Sequence, residues 1–240
     1  MELMHSQPLI TLEDLDKIPT PKPEGSHYPI PHARFARTVR EALLATGLGI
    51  AKEQHSVDNK GQRYFGLLDL HREAESEDYR LIVGLRNSHD KTFAAGLCAG
   101  NRALVCDNLS FSNEIVLARR HTRYIGDDLQ RLVFDAVGRL RQAHAKQDER
   151  ISRYKLRTFS DHMVHDLLIR SVDAKVIPNA RVPEVLREWR TPSHVEFAVD
   201  RDAWRLFNAY TEVLKRYAVE DLPRRTIRLH GMLDTVCGVN

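Results

Sequence analysis

The spacing of apolar residues changes near residue 121, and that change limits the fold more than any other feature. From 48 to 121 the apolar stretches are short and separated by turn chemistry. LGIAKEQHSV and QRYFGLLDLH flank Asp58-Asn59-Lys60-Gly61, which predicts a hairpin. YRLIVGLRN gives a third strand and TFAAGLCAG a fourth, with a turn at Gly100-Asn101. ALVCDN gives a fifth, and 114–121 can add a sixth. Consecutive strands joined by tight turns imply an antiparallel meander.

From about 126 to 157 the apolar residues instead step by three and four. Leu129, Leu132, Val133, Ala136, Val137, Leu140, Ala143, Ile151 and Tyr154 predict one long helix. Further helices are expected at 33–46 and at 158–175, the latter capped by Ser160. Another should start near Pro183 and run through Trp189, another should cover 201–217 behind an Asp200 cap, and a last one 224–235. The predicted class is α+β: a meander of five to six strands packed with a long helix and a C-terminal helical part. Residues 1–31 carry Pro19, Pro21, Pro23, Pro29 and Pro31 and an acidic excess. They read as an extended arm, with one helical turn at 11–18, ahead of a single domain at 32–240. In that domain the strands lie mostly at 48–121 and the helices mostly at 125–235.

Composition excludes several classes. With 42% hydrophobic and 29% charged residues in 240, a core can form and general disorder is not expected. A net charge of +3 excludes a polycation, so any affinity for nucleic acid must come from local clustering. Cys98, Cys106 and Cys237 have no paired spacing, which argues against disulfides and zinc knuckles. No apolar run approaches the roughly 20 residues that span a bilayer, and MELMHSQPLI lacks the pattern of a secretory signal. A cytoplasmic setting with no membrane association is expected. GxxxxGK[ST], GxGxxG after a strand, HExxH and GxSxG are all absent, and no cofactor or metal is predicted.

Two segments carry a resemblance. GLRNSHDKTFAAGLCAGNRALVCDNLSFS at 84–112 contains Asn87-Ser88-His89-Asp90 and Cys106-Asp107-Asn108. WRLFNAYTE at 204–212 contains Asn208 and Thr211. Both resemble the phage/plasmid-like protein family, catalogued as a domain of unknown function. The resemblance covers 35–235 and implies a setting in prophages, plasmids and integrative elements. It implies a role in element maintenance, recombination or counter-defence, and no mechanism.

The candidate residues each have a structural and a chemical reading. Asn87, Ser88 and Asp90 suit a turn, because their side chains bond nearby backbone N–H groups. His89 and Asp90, with Asn108 and a divalent metal, could instead act on nucleic acid or nucleotide. Neighbouring residues of a strand face opposite ways, so His89 and Asp90 share a site only if the turn rotates one of them. Cys106 is a candidate nucleophile, or a buried thiol. His162 and His165 share a helix face without a third ligand. Asn208, on an apolar helix, needs partners and is expected to tie that helix to a strand end or to the Asn87 turn.

The charge pattern carries the leading functional expectation. Residues 119–157 hold a surplus of six positive charges, twice the net charge of the chain. Arg131, Arg139, Lys146, Arg150, Arg153 and Arg157 fall within one third of the helix circumference at ~100° per residue. With Arg119 and Arg120, and with Tyr124 and Tyr154 for stacking, this band could follow a phosphate backbone. The alternative is a solvated face paired with acids. The sequence thus favours a non-enzymatic binder of DNA, single-stranded for preference. Assembly with further copies of the chain is compatible with that reading. The layout resembles that of phage strand-annealing recombinases. Loss of Arg150 and Arg153 together is expected to weaken binding. A counter-defence factor working by protein contact is a third reading, which an exposed apolar patch would favour.

Overall fold

A computed structural model describes residues 9–58, 60–71, 79–103, 109–218 and 221–239, without the side chains of 103, 109 and 112–116. The class is α+β. Six strands follow one another in a single sheet in sequence order: β1 Leu9–Ile10, β2 Ile50–Val57, β3 Arg63–Leu70, β4 Tyr79–Ser88, β5 Ala95–Ala103 and β6 Leu109–Arg119. The helices are α1 Leu12–Asp16, α2 His32–Ala45, α3 Ile125–Leu156, α4 Asp161–Asp173, α5 Val182–Arg190, α6 Ala203–Leu214 and α7 Leu222–Cys237. The residues group into two compact units. The first comprises 1–76, 80–100 and 114–143, and the second 77–79, 101–113 and 144–240.

In the first unit, local chemistry builds each element. Thr11 and Asp14 form a reciprocal capping box that starts α1. Phe35, Ala36, Val39, Ala42 and Leu43 give α2 one buried stripe. The β2–β3 hairpin closes where Asp58 Oδ1 accepts from the N–H groups of Gln62 (2.6 Å) and Arg63 (3.2 Å). Gly61 there has φ +64°, the left-handed region that glycine enters without strain. Strand β3 is buried from Tyr64 to Leu70, which fits the apolar run from Tyr64 to Leu68. Two strands lie very close at Gly96, where an added Cβ would sit 2.9 Å from the Leu117 carbonyl oxygen.

The second unit gathers α4 to α7 with the C-terminal half of α3. Ser160 caps α4, as expected. The cap of α6 is Asp202, whose carboxylate accepts from Arg205 N at 2.7 Å, and not Asp200. Asp202 is the residue directly ahead of the first helical turn, and Asp200 lies two positions too early. The Arg205 guanidinium is buried and donates to the carbonyls of Trp189, Ala198 and Arg190 at 2.8, 3.1 and 3.2 Å. It thereby satisfies acceptors left open at the end of α5.

Two strand expectations are corrected. Gly100-Asn101 is not a turn, because β5 runs through it to Ala103. Buried Asn101 accepts a hydrogen bond from Ser110 Oγ on β6, so its amide oxygen has a partner inside the sheet, while its amide nitrogen has none among the described residues. Cys106, Asp107 and Asn108 lie outside the described residues. The arm also contributes an unforeseen strand, with Leu9 opposite Ser56 and Ile10 opposite His55.

Candidate functional site

In the first unit, β4 and β6 run the same way, because each is antiparallel to its neighbour in the meander. Their carboxyl ends, carrying Asn87–Asp90 and Arg119–His121, therefore meet at one edge of the sheet. Arm residues 24–32 close over that edge. Tyr28 N donates to His121 O at 2.8 Å, and His89 N to Gln62 O at 2.8 Å.

Asn87 organises what lies beneath. It stands opposite Tyr64 in the β3–β4 register and is fully buried. Its amide nitrogen donates to Ile30 O at 3.0 Å and to His32 Nδ1 at 2.8 Å. Its oxygen accepts from His121 Nε2 at 2.7 Å. Ile30 O also accepts from His89 Nε2 at 2.9 Å, using its second lone pair. His32 Nε2 donates to Gly61 O at 3.1 Å, and His27 Nε2 to His89 O at 3.1 Å. The His32 and His89 rings stack with centroids 3.8 Å apart, and His27 meets His121 edge-on at 5.1 Å.

Removal from water disfavours the charged imidazoles. Burial, reinforced by neighbouring His89, pushes His32 down to about 3. Burial and the nearby His27 and His89 push His121 down to about 4. Burial also lowers His89, against the opposing effect of its bond to Ile30 O. These three rings are neutral at physiological pH. His89 Nδ1 is buried with no partner among the described residues.

Outside this cluster an open cleft of about 560 Å³ is lined by Glu24, Ser26, His27, Lys91, Thr92, Phe93, Ala94, Arg120, His121 and Thr122. Lys91 pairs with Glu24 at 2.7 Å on the exposed rim, and Arg120 has no ion-pair partner among the described residues. The lining thus has one more cation than carboxylate. Lys91 holds φ +67°, unfavourable for a residue with a Cβ, a strain of the kind that gathers at functional positions. Immediately beyond, the Arg123 guanidinium lies 4.5 Å over the half-exposed Tyr124 ring.

The sequence candidates separate. Ser88 serves the turn, with its hydroxyl bonded to the Phe93 carbonyl (2.8 Å) and N–H (3.1 Å). His89 and Asp90 face different partners. His89 is buried under Ile30, whereas Asp90 binds Arg63 Nε at 2.7 Å and Thr92 N at 3.1 Å. The Thr92 and Arg63 contacts outweigh burial and keep the Asp90 carboxyl below its ordinary range.

The basic band is largely engaged. Arg119 binds Asp128 at 2.9 Å, Arg131 lies near Asp128 and Asp135, and Arg153 near Glu149 at 3.2 Å. Arg150, on the second unit's part of α3, binds Asp234 at 2.9 Å with its side chain only 14% exposed. It serves the interior and is withdrawn from any phosphate-binding surface. Tyr154 is also core, donating to Asp234 Oδ1 at 2.7 Å. Arg120, Arg139, Lys146 and Arg157 are exposed. Asn208 bonds Trp204 O at 2.9 Å in its own helix, Thr211 bonds Asn208 O, and Asn208 Oδ1 is buried without a partner among the described residues. The expected tie from Asn208 to the Asn87 turn is therefore not among its bonds. An i−4 carbonyl takes its amide instead. His162 and His165 are exposed. No group of three metal-ligating side chains occurs among the described residues.

Sequence reading missed His27, His32 and His121 as site residues. Only the histidines in SHYPIPH and RRHTR hinted at them, and only the fold brings those segments to the Asn87 strand end. Compared with known proteins, residues 25–232 match the model of a family described as a domain of unknown function (DUF932). No curated protein and no solved structure matches the chain. No helix among the described residues is long and apolar enough to cross a membrane.

Proposed function

The chain belongs to the DUF932 family, and from that premise we propose that it binds single-stranded nucleic acid, DNA for preference, along the Arg120–Tyr124 segment and the adjoining cleft. The observation that carries this reading is the grouping there of a cation without an ion-pair partner among the described residues, Arg120, an arginine laid over a half-exposed aromatic ring, Arg123 on Tyr124, and an open cleft of about 560 Å³. Cations track phosphates, and an exposed ring lets a base stack on it. Nearby Arg119 and Arg131 are held by carboxylates, so their share in phosphate contact is smaller. The resemblance noted from Asn87–Asn108 and 204–212 supports a setting in phages or plasmids, in the cytoplasm, with a role in maintenance, recombination or counter-defence.

Filter binding of short single strands across a salt series tests this. Arg120→Ala with Arg123→Ala should cost at least about tenfold in affinity at low salt. It should also reduce the log–log salt slope by about 1.4, the share of two phosphate contacts on a single strand. Unchanged affinity and slope would refute the reading.

A further inference from the structure

Building on the strand-binding reading, we propose that the cleft selects guanine among the bases of the bound strand. The argument starts from where the protons sit. The Asn87 amide nitrogen is committed to Ile30 O and His32 Nδ1, so the group facing His121 is the amide oxygen, which only accepts. His121 Nε2 must therefore carry the proton, and in the neutral ring Nδ1 keeps its lone pair. His27 is anchored in the same way. Its Nε2 faces the His89 carbonyl oxygen, again an acceptor, so its neutral form also leaves Nδ1 as a lone pair.

Both rings line the cleft, with centroids 5.1 Å apart. Each spends its donor edge on the scaffold, which leaves one acceptor on each of two adjoining rings for a ligand. Two acceptors on adjoining rings call for two neighbouring donors. On its Watson–Crick edge only guanine presents that pair, N1–H beside the N2 amino group. Adenine and cytosine offer one amino group next to a ring acceptor, and thymine one N–H between two carbonyls. An acceptor set against an imidazole lone pair loses its water and gains no bond, which is how a polar site rejects a near-isostere. Guanine O6, next to N1–H, is an acceptor suited to Lys91 or Arg120, which line the same cleft.

The test uses fluorescence anisotropy with the full chain and short thymidine strands carrying one central guanine, inosine, adenine or cytosine. Inosine keeps N1–H and lacks the N2 amino group. The guanine strand should bind about tenfold or more tightly than the adenine, cytosine and all-thymine strands, with inosine between. His27→Phe, at a partly exposed position, should bring the guanine strand to within about twofold of the all-thymine strand in the same variant. Equal affinity of the wild-type chain for all strands would overturn the guanine assignment and leave the strand-binding reading standing. Failure to bind any strand would overturn both. The comparison among strands needs no variant, so a poorly folding His27→Phe does not blunt it.

Discussion

At the scale of the residue, Asn87 holds the site together, because its amide nitrogen binds the arm at Ile30 and His32 and its oxygen binds His121 beyond β6. Asn87→Asp keeps the shape but sets a carboxylate against the Ile30 carbonyl and the His32 lone pair. It should lower stability by about 3 kcal/mol or more, read by urea melts at neutral pH. The same cluster fixes a pH dependence. His32, His89 and His121 titrate lower in the folded chain than the ordinary imidazole at 6.5, so the unfolded chain takes up protons first. Stability is therefore at its full value above pH 6.5 and erodes as pH falls from there toward about 3. Each of these histidines adds up to about 1.4 kcal/mol per pH unit to that slope. Urea midpoints that stay level between pH 7 and pH 5 would contradict the neutral cluster.

At the scale of the element, two glycines should respond in opposite directions. Gly96→Ala drives a Cβ against the Leu117 carbonyl oxygen on β6 and should cost about 1–3 kcal/mol. Gly138→Ala, on an exposed turn of α3 with nothing within 4 Å, should add about 0.5–1 kcal/mol. Thermal melts of the two variants check both signs. Elements of this kind were readable from sequence wherever local rules decide. The three-and-four spacing gave α3, found at Ile125–Leu156, and Ser160 gave the start of α4. The reading failed where a distant partner decides. Asn101 reads as a turn residue until Ser110 accounts for it across the sheet, and β1 exists because β2 offers Leu9 and Ile10 an edge. Arg150 reads as one more cation in a stripe until Asp234, 84 positions on, claims it. The histidine cleft was illegible for the same reason, since its residues come from an arm, two strand ends and a helix start.

At the scale of the whole molecule, charge is divided between the interior and the surface proposed to bind nucleic acid. Arg150→Met breaks a mostly buried pair in the second unit and should cost about 3–5 kcal/mol, because Asp234 is left without its cation. Strand affinity per folded molecule should stay unchanged, so denaturation and binding measured on one preparation separate the two roles of arginine. The arm has a different consequence. One wall of the cleft is chain that precedes the first long helix, tied down by the Ile30 carbonyl and by Glu24. A protease that nicks this stretch would leave the strands paired and yet erase the pocket. Susceptibility to such a cut should fall when a ligand is present, which makes digestion rate a label-free gauge of occupancy.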